Sequence, residues 1–219
     1  MATVRLADYR PAPYLIPQIS LTVQLFADRT EVQAQLKLEP NPAAEPGRLP
    51  EPLELKAEAL ELLEIQLDGL PLPPSAWRQE SGRLWLLEPP GRPFDLETRV
   101  RLHPEANTSL EGLYVSGGMF TTQCEAEGFR RITPHPDRPD LLSRYRVRIE
   151  ADRATCPVLL SNGNCVESGA LPPAPERDGA APTPRHYAVW DDPFPKPSYL
   201  FALVAGRLEE VRDVFTTAS

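Results

Sequence analysis

Alternation of apolar and polar side chains with a period of two runs through much of this chain. Every second residue is apolar from 19 to 25, and the pattern returns from 32 to 38 after the turn at Ala27-Asp28-Arg29. Such alternation puts successive side chains on opposite faces of an extended strand. These two segments therefore predict an antiparallel hairpin with one buried face.

Further strands are predicted at 63–67, 94–102 and 145–149. The first ends at Asp68-Gly69, a dipeptide that accepts the positive φ angles of a two-residue hairpin turn, and we expect 84–87 to be its returning strand. The segment 199–205 is apolar throughout, which is typical of a strand covered on both faces. Together the segments predict an all-β fold of two twisted, mostly antiparallel sheets in a sandwich-like or saddle-like arrangement.

Proline strengthens the all-β prediction, because 27 of the 219 residues are proline, against about 5% in an average protein. Proline lacks an amide donor and disrupts helices. Only a short helix is expected, at 138–143 or at 57–63. We expect one domain over 1–219, with mobile surface loops at 40–52 and 171–184, which are rich in Pro, Ala, Gly and Glu.

Composition and charge exclude several classes of protein. No apolar run of about 18 residues is present to span a bilayer, and the first residues do not form a secretion signal. Three cysteines do not make a disulfide framework, so we expect a cytoplasmic protein with reduced thiols. A formal net charge of −8 disfavours nucleic acid and anionic membranes as partners. Arg144, Arg146 and Arg148 are expected to form a solvated strand face paired with carboxylates.

The densest chemistry lies between Thr121 and Arg131, where amide, thiol, carboxylate and guanidinium groups crowd together. On an extended backbone Gln123, Glu125 and Glu127 would share one face, as a polar row able to hold a cation or as an ordinary polar strand edge. Glu127 is expected to pair with Arg130 or Arg131. Cys124 lies beside two carboxylates that disfavour its thiolate, so it is expected to fill the core rather than act as a nucleophile.

The sequence of this segment, TQCEAEGFR from 122 to 130, resembles the N-terminal domain of bacterial aminopeptidase N, a zinc-dependent gluzincin aminopeptidase family. Blocks at 9–16, 107–116, 137–140, 159–164 and 192–206 resemble the same family in the same order. The segment from about 40 to 105 is too generic to match. The resemblance implies the N-terminal domain of an enzyme that releases amino-terminal residues from peptides.

The resemblance also implies a substrate site. The family's Gln-x-Glu pair maps onto Gln123 and Glu125. In the family the glutamate helps to hold the substrate's free α-ammonium group, and the glutamine lines the pocket for the first side chain. A carboxylate recognises a terminal amine by a charge-assisted hydrogen bond, which an internal peptide nitrogen does not offer. Gln123 and Glu125 are therefore the predicted substrate-binding residues.

Catalytic and metal-binding residues are not expected in this chain. The family's zinc is held by a His-Glu-x-x-His helix and a distant Glu, and His103, His135 and His186 lack that spacing. The resemblance thus implies zinc in the full-length parent, with the catalytic domain of the same polypeptide and peptide N-termini as partners. An exposed ion pair contributes roughly 0 to 1 kcal/mol, whereas a millimolar complex needs about 4 kcal/mol. The 219-residue chain alone is therefore expected to be inactive.

Two alternatives remain open at this point. One is a free-standing β-sandwich interaction module without peptidase activity, and the other is a cysteine hydrolase using Cys124 with His135 or His186. The segment Pro134-His135-Pro136 departs from the family's usual aromatic and aliphatic residues, which leaves the shape of the pocket open. His135 is expected on a solvent-facing loop.

Overall fold

Three β-sheets share one hydrophobic core in a computed structural model that describes residues 5–44, 52–172 and 183–216. Within these residues the strands are β1 (Tyr14–Leu25), β2 (Thr30–Pro40), β3 (Leu53–Lys56), β4 (Glu61–Leu67), β5 (Leu70–Pro71), β6 (Trp77–Glu80), β7 (Arg83–Leu86), β8 (Phe94–Leu102), β9 (Gly112–Ser116), β10 (Met119–Gln123), β11 (Ser143–Asp152), β12 (Val158–Ser161), β13 (Asn164–Leu171), β14 (Arg185–Lys196) and β15 (Leu203–Gly206). Single-turn 3₁₀ helices are η1 (Leu6–Asp8), η2 (Pro74–Ala76), η3 (Pro104–Ala106), η4 (Phe129–Arg131) and η5 (Ser198–Leu200). The predicted all-β fold is confirmed.

The largest sheet has the strand order β13-β14-β11-β1-β2-β8-β4-β5, in which β1 and β11 run parallel and the other pairs antiparallel. The predicted β1–β2 hairpin is confirmed, with Leu21 opposite Ala34 and both side chains buried. The arginine row on β11 is as expected for two of its three members. Arg148 pairs with Glu150 at 2.6 Å, and Arg146 lies 3.7 Å from Asp191.

The two smaller sheets are β12-β15-β10-β9 and β3-β7-β6. Leu159, Leu203 and Ala205 of the four-stranded sheet are buried in the same core as the inward side chains of β1 and β11. The last residue of β10 is Gln123. This sheet therefore fixes the position of Gln123, the first of the two predicted substrate-binding residues.

Two strand predictions were wrong. Asp68 and Gly69 do form a tight turn with φ angles of 50° and 76°, but the turn joins β4 to β5, whereas β7 pairs with β3 and β6. The alternating pattern identifies a strand but not its neighbour in the sheet, because any other strand with a similar pattern could pair with it. The apolar segment 199–205 is also not one strand. Pro197 precedes η5, and β15 begins only at Leu203.

The helix predictions were also wrong. Segment 138–143 forms a turn that leads into β11. Segment 57–63 is broken at Ala59, whose φ of 55° is incompatible with a right-handed helix, and β4 begins at Glu61. The predicted loops at 40–52 and 171–184 fall largely outside the described residues, so their mobility stays a prediction. In the part of the chain that the structure describes, no helix is long and apolar enough to cross a bilayer.

Candidate functional site

Glu125 lies on a tight turn rather than on a strand. β10 ends at Gln123, and the turn through 124–128 is closed by the Gly128 N–H, which donates to the Cys124 carbonyl at 3.0 Å. A Cβ on Gly128 would lie 2.1 Å from the Gln123 carbonyl oxygen, so the turn requires glycine there. The expectation that Gln123, Glu125 and Glu127 share one strand face was therefore wrong, because the strand ends before the two carboxylates.

The Glu125 side chain is exposed at the rim of a hollow. The hollow has a volume of about 320 Å³, and its other lining residues are Ala126, Glu127, Asp137, Arg138, Pro139, Ser198 and Tyr199. Gln123 is exposed beside it, and its Nε2 donates to the backbone carbonyl of Glu125 at 2.7 Å. Among the described residues, no hydrogen-bond or ion-pair partner holds the Glu125 carboxylate. The carboxylate is thus available to an external cation.

The carboxylates around Glu125 are paired. As expected, Glu127 pairs with Arg130, at 2.5 Å from Nη2. The Nε of Arg130 donates to Asp137 Oδ2 at 2.9 Å, and its Nη1 lies 3.4 Å from Glu58. Burial alone would lower the pKa of the Arg130 guanidinium, but its carboxylate partners outweigh burial and the pKa is raised. Sequence reasoning predicted the Glu127 pair but missed the contacts of Arg130 with Asp137 and Glu58, for which the only local signal was the family block at 137–140.

Cys124 faces the core, as expected. Its side chain is buried, and burial raises the pKa of its thiol well above the ordinary value, with a further contribution from the nearby Asp137 charge. The thiol therefore stays protonated near neutral pH. This environment argues against a hydrolase that uses Cys124 as its nucleophile.

His135 was wrongly expected to face solvent, because its side chain is completely buried. Its backbone exchanges two hydrogen bonds with Lys56, and its Nδ1 accepts the Asp137 N–H at 2.9 Å. The ring packs edge-on against Phe129, with centroids 5.1 Å apart. Pairing with a distant residue, Lys56, draws the segment between the two prolines into the interior.

The histidines do not form a zinc site. His103 Nδ1 lies 3.0 Å from the Asp28 carbonyl, and His186 Nε2 lies 2.7 Å from the Cys156 carbonyl. The Nδ1 of His135 is already an acceptor for a backbone N–H. Within the described ranges, no group of three or more His, Cys, Asp or Glu side chains is arranged to hold a metal ion. These residues therefore do not fit the family's zinc.

Acid should destabilise the domain through His135. The pKa of His135 is lowered to about 4, chiefly by burial, which outweighs the opposing Asp137 charge and is reinforced by the Arg130 charge. The folded state thus favours the neutral ring, while the unfolded chain binds a proton below pH 6.5. The stability that this residue contributes is fully present above about pH 6.5, and it is lost progressively as the pH falls towards 4. We expect the free energy of unfolding, measured in urea, to fall by about 2 kcal/mol from pH 7 to pH 5 through this residue.

A glutamine at position 135 tests that expectation, since it cannot titrate. His135→Gln should flatten this part of the stability profile even though it lowers stability at pH 7. His103→Gln, which removes an exposed histidine, should leave the profile unchanged. A slope between pH 7 and pH 5 that survives in His135→Gln would assign the acid sensitivity to another group.

Comparison with known proteins identifies the family. Residues 79–200 match the Peptidase M1 N-terminal domain. This chain belongs to that family. The M1 N-terminal domain is 51% identical over 216 residues to aminopeptidase N of Caulobacter vibrioides, covering 99% of this chain and 23% of that protein. It is 45% identical over 212 residues to aminopeptidase N of Escherichia coli, covering 97% of this chain and 22% of the relative. The family resemblance is confirmed.

Solved structures show the same fold. The crystal structure of Legionella pneumophila aminopeptidase A in complex with aspartic acid superposes with a TM-score of 0.83 at 34% identity, covering 94% of this M1 N-terminal domain and 23% of that chain. The crystal structure of an M1 zinc metallopeptidase from Deinococcus radiodurans gives a TM-score of 0.69 at 18% identity, covering 93% of this chain and 44% of that chain. The chain thus spans less than a quarter of the length of the curated relatives described above.

Proposed function

We propose that this M1 N-terminal domain belongs to a zinc aminopeptidase and anchors the free α-ammonium group of peptide substrates through Glu125. The observation that carries the proposal is the exposed, unpartnered Glu125 carboxylate at the rim of a hollow whose neighbouring acids are paired. Gln123 lines the pocket for the first side chain in this proposal. Its hydrogen bond to the Glu125 carbonyl links the two residues, so that they present one polar surface.

The anchoring chemistry explains the preference for chain ends. A terminal ammonium group donates charge-assisted hydrogen bonds to a carboxylate, whereas an internal amide nitrogen carries no charge. An exposed pair of this kind contributes only about 0 to 1 kcal/mol in water. A second domain that closes over Glu125 and excludes water would strengthen the interaction. The 219-residue chain alone is therefore proposed to bind amines weakly and to have no peptidase activity.

The proposal places zinc binding and bond cleavage in the catalytic domain of the same polypeptide, since the histidines described above do not fit the metal. Support for a packing partner comes from exposed apolar side chains on the segment that contributes Ser198 and Tyr199 to the hollow. Phe194 precedes this pair in the chain and is 75% exposed, and Leu200 follows it and is 48% exposed. Buried, unpaired Cys124 and Cys156 fit a reducing, cytoplasmic setting. The net charge of −8 disfavours nucleic acid and membrane partners.

The full-length protein tests this proposal with leucine p-nitroanilide and its N-acetylated counterpart. We expect kcat/KM for the free-amine substrate to exceed that for the acetylated one by at least about 100-fold, because acetylation removes the charge that Glu125 recognises. Initial rates of nitroaniline release measure both.

The 219-residue chain with added zinc is the control, and it should release no more nitroaniline than zinc alone. Equal cleavage of both substrates by the full-length protein would contradict an amine anchor. No cleavage by the full-length protein would favour the interaction module instead.

A further inference from the structure

One buried carboxylate links three segments of the chain at or next to the hollow. The Asp137 side chain is only 2% exposed, and residues 137–139 themselves form one wall. Its Oδ2 accepts from the backbone N–H and Nε of Arg130, at 3.3 and 2.9 Å. Its Oδ1 accepts from Ser198 Oγ at 2.7 Å. Arg130 follows the lining segment 125–127 along the chain, and Ser198 and Tyr199 line another wall of the hollow.

The position of Asp137 is itself closely fixed. Its backbone has a left-handed φ of 52°, a conformation that aspartate tolerates better than most residues. Its N–H donates to Nδ1 of the buried His135. The Asp137 carboxylate is therefore held in a fixed position, and its hydrogen bonds position the Arg130 segment and the Ser198–Tyr199 segment relative to it.

Arg130 also keeps Glu125 free. The guanidinium lies within ion-pair distance of Asp137, Glu127 and Glu58. A cation surrounded by three carboxylates is fully compensated, and it has little tendency to recruit a fourth. The ion pairs of Arg130 thus hold the turn at 124–128 in place without neutralising the exposed Glu125 carboxylate.

We propose that Asp137 is a positioning residue for Glu125, with the Ser198 hydroxyl as the link that sets the distance between Glu125 and the Tyr199 wall. The inference rests on the proposed function, in which Glu125 holds the substrate ammonium group. Small displacements of a positioned group lower rates strongly when the contact geometry is demanding. Asp137 and Ser198 therefore act on catalysis only through Glu125.

Ser198→Ala in the full-length protein tests the link. We expect kcat/KM for leucine p-nitroanilide to fall roughly three- to tenfold, and the preference over the acetylated substrate to fall with it. Ser198→Thr keeps the hydroxyl and should restore most of the loss. In a Glu125→Ala background the same Ser198→Ala substitution should change kcat/KM by less than about twofold, because coupled residues are not additive.

Ser143→Ala is the matched control. Ser143 is also a buried serine, but its Oγ donates to the backbone carbonyl of Ile16 rather than to a carboxylate, and it does not line the hollow. It should lower the melting temperature without changing the preference for the free amine. If Ser198→Ala is too unstable to assay, Ser198→Cys keeps the volume with a weaker donor and takes its place.

The outcomes separate the two proposals. If Glu125→Ala leaves the kinetics unchanged, amine anchoring by Glu125 fails. If Glu125→Ala is severe but Ser198→Ala has no effect, acts additively with it, or matches Ser143→Ala, anchoring stands and the positioning role of Asp137 and Ser198 is overturned.

Discussion

Glu125→Ala in the full-length protein is expected to lower kcat/KM for a free-amine substrate by roughly 100- to 1000-fold. Removing one preorganised charged contact from a water-excluded site typically costs this much. Zinc content should stay unchanged, because the described residues of this domain contain no group fitted to the metal. Steady-state kinetics and metal analysis of the purified variant measure the two effects separately.

Glu61→Ala provides the control for this substitution. Glu61 is a carboxylate on β4 whose side chain is 56% exposed and pairs loosely with Arg101 at 3.3 Å, and it does not line the hollow. Its removal should change kcat/KM by less than about twofold, as expected for an exposed ion pair. Unchanged kinetics in Glu125→Ala would refute the assignment of Glu125 to the substrate amine.

The strands that local pattern predicted correctly are those with one buried face. In β1, β2, β8 and β11, buried and less buried positions alternate with the period of the apolar residues. The polarity of each side chain in these strands therefore predicts whether it is buried. Partner choice is different, because it depends on residues far away in the chain. The strand β4 pairs with β8 and the two-residue β5, although β7 carries an equally suitable apolar pattern.

The candidate site was predictable only in part. The resemblance to the family points to Gln123 and Glu125, whose role in substrate binding stays a prediction. The change from strand to turn between them depends on close backbone contacts at Gly128, which the alternation of side chains does not reveal. The burial of His135 depends on Lys56, 79 positions earlier. Such contacts appear only after the chain has folded. The sequence therefore revealed the motif of the candidate site, but not the long-range contacts that hold it in place.

Arg130→Met is expected to lower the free energy of unfolding by about 3 to 5 kcal/mol, the usual effect of breaking a buried ion pair from one side. The substitution keeps an unbranched side chain but leaves the Asp137 carboxylate, 2% exposed, with the Ser198 hydroxyl and without its cation. Desolvation of the remaining charge accounts for most of the loss. Urea unfolding of the domain at pH 7, followed by circular dichroism, measures it.

Two further variants, Arg131→Met and the double variant that adds Asp137→Asn, distinguish an uncompensated buried charge from a simple loss of packing. Arg131 is 24% exposed and pairs with Glu58 and Glu111 at 3.4 and 3.2 Å, so Arg131→Met should cost no more than about 1 kcal/mol. Asp137→Asn removes the stranded charge and keeps an amino acid that tolerates the left-handed backbone. Combined with Arg130→Met it should recover part of the lost stability. If the double variant is less stable than Arg130→Met alone, the uncompensated charge is not the cause, and the arginine stabilises the turn through packing.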